Sequence, residues 1–334
     1  MQDNILEIHN LVTSFASDGR KDRAIAVNGV DIAIPKGSTV GLVGESGCGK
    51  SVTSLSAMGL LPDNGRVESG EAIFCGRDLL KLPDRELRKI RGNRISMIFQ
   101  EPMTSLNPVI PVGKQVSEAL RLHGGMDKET AKRKSIEILE RVGVPEARRR
   151  YDNYPHQLSG GLRQRVMIGM AMALKPDLLI ADEPTTALDV SIEAQILRLM
   201  RTLQRESGMS ILMITHNLGV VAEICDEVYV MYAGEVVEHA DVYALFRDCA
   251  HPYTRGLIAS LPRMTPKGQR LYTIRGTVPN LRAMPAGCRF APRCERACER
   301  CWEEKPLLQD IGNGHLCRCH APVGTTGNGG AGNG

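Results

Sequence analysis

The chain has 334 residues, 42% hydrophobic and 24% charged, enough length for one large α/β domain with an appendage and enough apolar content for a sizeable core. A net charge of +4 is too mild to imply a nucleic-acid binder or a polybasic membrane anchor. No run of about 18 apolar residues occurs, so no bilayer span is expected; residues 1–10 hold Asp3, Glu7 and His9 where a secretory signal needs an apolar stretch.

Residues 5–15 and 30–34 read as strands split by a polar loop at 16–23, with Phe15 closing the first strand. Residues 39–43 form a β-branched strand that runs into GESGCGKS at residues 44–51, a match to G-x-x-x-x-G-K-[ST]. Glycines there permit backbone conformations that aim successive N–H groups at a phosphate. Lys50 suits the β- and γ-phosphates, and the Ser51 hydroxyl suits Mg²⁺. The strand before the motif and a helix expected over residues 51–60 supply the context it needs. Residues 62–70 read as loop, 71–74 as an edge strand, 83–91 as a basic helix with a solvated face, and 94–99 as a strand ending in Gln100.

Residues 112–122 and 127–142 are helical by period. Leu158, Ser159, Gly160 and Gly161 then open a helical pattern that runs through Ala173, and small residues at a helix start leave backbone N–H groups free to face an anion. Residues 178–181 are a short apolar run ending in Asp182 and Glu183, as in a buried parallel strand that delivers charge at its carboxyl end. Two carboxylates there can divide the labour, one holding a Mg²⁺ shell and the other orienting a water. A helix over 193–206, a buried strand over 209–214 ending in Thr215 and His216, a hairpin about Ala233 and Gly234, and a short helix over 242–247 complete this part.

The loop at 44–51, LSGGLRQ at 158–164 and the acidic strand end together resemble the nucleotide-binding subunit of ATP-binding-cassette (ABC) transporters. The resemblance implies an α/β P-loop fold with a RecA-like core, an antiparallel β subdomain and a helical subdomain at about 101–165, all within residues 1–250. It implies ATP and Mg²⁺ as cofactors and nucleotide contacts from Gly44, Glu45, Ser46, Gly47, Cys48, Gly49, Lys50, Ser51 and Val52. Phe15 would stack on the adenine. Ser51, Gln100 and Asp182 would serve Mg²⁺, Gln100 also touching the attacking water. Glu183 would act as general base or water-orienting group, with His216 as the switch on the γ-phosphate. Ser159, Gly160, Gly161 and Gln164 form the family's signature, which binds the γ-phosphate of a nucleotide held by the opposite subunit, and Asp189 would line that dimer interface. Many relatives have Asp after the glutamine, where this chain has Glu101.

HPYTRGLIASLPR at residues 251–263 resembles the segment that follows the ATPase domain in the peptide and nickel importer branch. Of ten cysteines, Cys288, Cys294, Cys298, Cys301, Cys317 and Cys319 crowd the end of the chain. The spacing C-x5-C-x6-C with a later Cys resembles the extension of dipeptide and oligopeptide importer ATPases, which in some members holds an iron–sulfur cluster. Four thiolates suit a [4Fe–4S] cluster and equally tetrahedral Zn²⁺, with unliganded thiols as the third option. Cys288, Cys294, Cys301 and Cys319 are expected to ligate a [4Fe–4S] cluster, leaving Cys298 and Cys317 as extra thiols. This extension is expected over 251–323, followed by a disordered tail at 324–334.

The function implied is ATP hydrolysis that powers import of peptides, or of nickel or another small solute. The partners implied are a second ATPase subunit (a paralogue or another copy), two transmembrane permease subunits and an extracytoplasmic solute-binding protein, with no nucleic acid. The place implied is peripheral, at the cytoplasmic face of the cell membrane. LSGGLRQ argues against an unrelated P-loop kinase or GTPase, and an ABC protein without a transporter usually carries two cassettes in one chain.

Overall fold

The computed structural model describes residues 3–16, 23–100, 105–186, 188–261 and 272–323. Glu101, Ala187 and the expected tail at 324–334 lie outside the described residues. In chain order the strands are β1 (Asn4–Ala16), β2 (Arg23–Pro35), β3 (Thr39–Val43), β4 (Gly65–Phe74), β5 (Arg77–Asp78), β6 (Ile95–Ile98), β7 (Leu178–Asp182), β8 (Ser210–Thr215), β9 (Glu227–Tyr232), β10 (Glu235–Asp241), β11 (Gln309–Asp310) and β12 (Leu316–Cys317). The helices are α1 (Lys50–Ala57), α2 (Asp84–Ile90), α3 (Val112–Leu122), α4 (Lys128–Arg141), α5 (Ala147–Arg150), α6 (Gly160–Ala171), α7 (Val190–Ser207), α8 (Leu218–Ile224), α9 (Val242–Asp248), α10 (Pro252–Ala259) and α11 (Glu299–Glu303).

Four strands form an antiparallel sheet in the order β2-β1-β4-β5. Its inward face is built from alternating apolar residues, Leu6 and Ile8 of β1 meeting Ile34 and Ile32 of β2 and Phe74 and Ala72 of β4. The loop expected over 62–70 is largely strand: β4 begins at Gly65 and lies between β1 and β5, not at the edge. Glycine and polar residues there mimic a loop because the sheet needs them. The pairing with β1 shifts register between His9 and Val12, and a Cβ on Gly70 would fall 2.6 Å from the Leu11 Cα.

The larger sheet runs β11-β12-β10-β9-β3-β8-β7-β6. From β9 to β6 it is parallel, and every residue of β3, β7 and β8 is buried, as the near-continuous apolar runs anticipate. The carboxyl ends of β3, β7 and β8 therefore open on one edge, which is where an open parallel sheet offers a crevice. β10 turns back antiparallel on β9, and β12 pairs with β10 through Glu238–Cys317 and His239–Leu316. The carboxyl-terminal segment thus joins the main sheet. Phe290 fastens it further, packing edge-on against Tyr232 at 5.2 Å and tilted against Tyr253 at 5.4 Å.

Between β6 and α6, helices α3, α4 and α5 close around three hydroxyls. Ser117 Oγ lies 2.8 Å from both Ser135 Oγ and Tyr151 Oη, so the buried polar groups satisfy one another. Among the described residues no helix is long and apolar enough to cross a membrane.

Candidate active site

β3 ends at Val43, and the chain folds through residues 44–49 into α1. Gly44 (φ 153°) and Gly49 (φ 104°) must be glycine: a Cβ on the first would meet the Met231 carbonyl oxygen at 2.2 Å, and on the second the Ala26 carbonyl oxygen at 2.8 Å. Lys50 opens α1 only 5% exposed, and its Nζ donates to the carbonyl oxygens of Gly44 (2.9 Å) and Glu45 (3.1 Å). The loop's own carbonyls therefore hold the ammonium where an anion would draw it. Ser46 and Gly47 are exposed, Val52 packs on the core, and Cys48 is buried with its thiol pushed up by burial.

Ser51 Oγ donates to Asp182 Oδ1 at 3.0 Å, joining the start of α1 to the end of β7. Burial raises the Asp182 carboxyl; the Ser51 bond opposes it and the neighbouring Glu183 charge adds to it. Glu183 leaves the strand with φ 47°, a left-handed backbone that costs a residue with a Cβ on the order of 1 kcal/mol, and its N–H donates to the Ile214 carbonyl at 2.8 Å. That turn aims its carboxylate into a three-sided cradle. His216 Nδ1 lies 3.1 Å from Oε1, while Gln100 Nε2 (3.2 Å) and Thr186 Oγ1 (2.8 Å) donate to Oε2. Burial works against the charge, yet the His216 and Thr186 bonds and the Lys50 charge outweigh it and hold the carboxyl below its usual range. A cavity of about 340 Å³ is lined by Gly44, Ser46, Gln100, Glu183, His216 and Leu257.

A family model described as "ABC transporter" matches residues 27–186, and one described as "Oligopeptide/dipeptide transporter, C-terminal region" matches residues 237–301. A relative from Brucella melitensis, named for peptide import, is 52% identical over 327 residues, covering 94% of this chain and 96% of its own. The oligopeptide transport ATP-binding protein AppD of Bacillus subtilis is 50% identical over 316 residues, covering 94% and 96%. The chain belongs to the peptide-import branch of the ABC transporter ATP-binding subunits. Among solved structures, the dimeric cassette MJ0796 in a post-hydrolysis state with ADP and Pi superposes with a TM-score of 0.64 at 28% identity, covering 71% of this chain and 98% of that one.

This ABC ATPase accordingly has the RecA-like P-loop core anticipated from the motifs, with a distinct cysteine-containing carboxyl-terminal region. The expected site residues fall into separate groups. Gly44, Glu45, Ser46, Gln100, Glu183 and His216 share the cavity, with Lys50, Ser51 and Asp182 beside it. Ser159 instead caps α6, accepting the Leu162 N–H, and is not among the cavity-lining residues. Gly160 and Gly161 face Leu188 and Ile192, and Gln164 is buried in the helix. Asp189 caps α7, its Oδ1 accepting the Ile192 N–H at 2.9 Å. Phe15 lies half-buried on the other sheet with its ring over Gly65.

The expected [4Fe–4S] cluster, and with it the Zn²⁺ alternative, is corrected by the structure. Among the described residues no group of three or more His, Cys, Asp or Glu side chains could hold a metal ion. Cys288, Cys294, Cys301 and Cys319 do border one cavity with Phe290 and Ala291, but its volume is about 10 Å³. That is barely room for one water. Burial raises all four thiols, Cys319 to about 11. The spacing reflects close packing: Cys288 N–H donates to the Cys301 carbonyl, and a Cβ on Gly287 would strike that same oxygen at 2.4 Å.

Besides Thr186 on Glu183, Arg293 and Tyr253 reach the site without having been anticipated. Arg293 forms a bidentate pair with Glu45, and the Tyr253 hydroxyl accepts the Glu45 N–H at 2.9 Å. Tyr253 sits in the HPYTRG stretch already singled out; Arg293 carries no spacing signal.

Proposed function

We propose that this chain hydrolyses ATP at residues 44–51 and the Asp182–Glu183–His216–Gln100 group, and that paired ATPase subunits thereby drive peptide import through a membrane permease. The observation that carries the chemistry is the convergence on Glu183 of Gln100, Thr186 and His216, beside the Ser51–Asp182 pair. Ser51 and Asp182 present hard oxygen ligands 3.0 Å apart, a donor set that fits Mg²⁺ completed by phosphate oxygens and water. Held by Ser51 and Asp182, Mg²⁺ would supply positive charge against that developing on the transferred phosphoryl group. Lys50 exchanges the Gly44 and Glu45 carbonyls for the β- and γ-phosphate oxygens. Glu183 accepts a hydrogen bond from the attacking water and orients it, Gln100 holds that water from its other side, and His216 contacts the γ-phosphate.

Ser159, Gly160, Gly161 and Asp189 complete the site of a second ATPase subunit placed head to tail, either another copy or a paralogue. Their position outside this chain's own cavity and the dimeric state of MJ0796 support that reading. Residues 1–250 carry the nucleotide chemistry, those at about 101–165 forming the helical part, and residues 251–323 form the extension. Peptides as the cargo rest on relatives named for oligopeptide transport and peptide import. The same relatives support a peripheral place at the cytoplasmic face, with two permease subunits and an extracytoplasmic solute-binding protein.

Replacing Glu183 by Gln puts a carboxamide of the same shape in the cradle and removes the acceptor charge. ATP should still bind, while turnover falls by about 10²-fold or more. ATP binding and phosphate release measured side by side decide it, and wild-type turnover would remove Glu183 from its role.

A further inference from the structure

The carboxyl-terminal segment grips the phosphate loop from two flanks. Arg293 ends a 3₁₀ turn (Ala291–Arg293), and its side chain is only 4% exposed. Its Nη1 donates to Glu45 Oε2 at 2.6 Å and Nη2 to Oε1 at 3.0 Å, a fork-to-fork pair. The Nε donates to the Arg275 carbonyl at 2.9 Å, and the guanidinium lies over the Tyr232 ring at 5.7 Å. These contacts fix the fork before it meets Glu45. On the other flank Arg289 donates to the Ala233 carbonyl and pairs with Glu235 at 3.0 Å. The adjoining Gly234 donates its N–H to the Cys48 carbonyl at 2.8 Å.

Glu45 is the second residue of the phosphate loop and lines the same cavity as Gly44, Glu183 and His216. An unpaired carboxylate there would repel a triphosphate entering beside it. A planar, permanently charged guanidinium both neutralises that carboxylate and fixes its direction, which a lysine cannot do as well. We propose that Arg293 is a positioning residue for ATP binding: it neutralises Glu45 and holds it out of the phosphate path, making the carboxyl-terminal segment part of the nucleotide site's support. The inference rests on residues 44–51 being the phosphate loop.

The test is ATP titration of the full chain by calorimetry, comparing wild type, Arg293→Ala, Arg293→Gln, Glu45→Gln, the Glu45→Gln/Arg293→Ala double variant and Lys50→Ala. Arg293→Ala should weaken ATP binding about tenfold, the effect of one unscreened charge near the ligand. The double variant should bind as the Glu45→Gln single variant does, since no carboxylate is left to neutralise; a merely structural Arg293 would not be rescued in this way. If Arg293→Ala fails to fold, Arg293→Gln, which can still donate to the Arg275 carbonyl, takes its place in the cycle. Wild-type affinity in the Arg293 variant, or an equal loss with and without Glu45, overturns the proposal. Wild-type affinity in Lys50→Ala would overturn instead the phosphate-loop reading beneath it.

Discussion

His251 shows how one buried side chain sets a pH limit. Its ring is sealed inside the protein and its Nδ1 accepts the Tyr253 N–H at 3.1 Å, capping α10. Burial pushes the ring down to about 4, although the Glu238 carboxylate pulls the other way. Unfolded, the imidazole takes a proton near pH 6.5; folded, it resists until about pH 4. Its contribution is therefore complete above pH 6.5 and is lost as pH falls through the folded value, a total of about 3 kcal/mol. His251→Asn keeps a capping acceptor but cannot titrate. Denaturant unfolding at about pH 7 and about pH 4.5 should show a smaller acid loss in the variant than in the wild type, and equal losses would reject the assignment. Legibility at this scale follows distance along the chain. Lys50 and Ser51 stand in one short motif, so their spacing sufficed. Glu183 could be read beside Asp182 at the end of one apolar run, whereas Gln100 and His216 come from other strand ends and could be placed only by resemblance to a known family. Arg293 answers Glu45 from the far end of the chain, and no local pattern marks such a partner.

Elements were legible where the hydrophobic period was strong. β3, β7 and β8 appeared nearly residue for residue because burial on both faces leaves an uninterrupted apolar run. β4 was missed over its first half because its glycines, read as a loop, serve a register shift against β1. The cysteines misled for a related reason: spacing that suits ligands also suits small side chains packed around a tight backbone crossing. Helix α3 offers a direct test of such close approach. Gly113 lies under the Tyr151 ring, and a Cβ there would come within 2.1 Å of its Cδ2. Gly113→Ala should gain helix propensity yet lose about 1–3 kcal/mol of stability to overpacking. Thermal unfolding would read this as a lower midpoint, and an unchanged or higher midpoint would show that the Ser117–Tyr151 cluster simply shifts aside.

Across the whole molecule, Ser159, which caps α6, is not among the residues that line the cavity beside the loop starting at Gly44. Ser159→Arg places a long cation at the start of α6 without touching the cavity around Glu183. Hydrolysis by the assembled complex should be lost, while ATP binding by the same chain's phosphate loop stays intact. Loss of binding in the isolated chain would argue against sites shared between two subunits. The strand order has its own bearing on how the protein is made. Cys317 pairs with Glu238, so β10 gains this neighbour only after the ribosome has passed Cys288, Cys294, Cys298 and Cys301. Until then the nascent chain carries β10 with one side unpaired, a ready template for pairing with another chain. Early termination anywhere between these strands leaves that side of β10 without its partner, so a chain cut short there should aggregate more readily than the full-length one, whatever becomes of its nucleotide site.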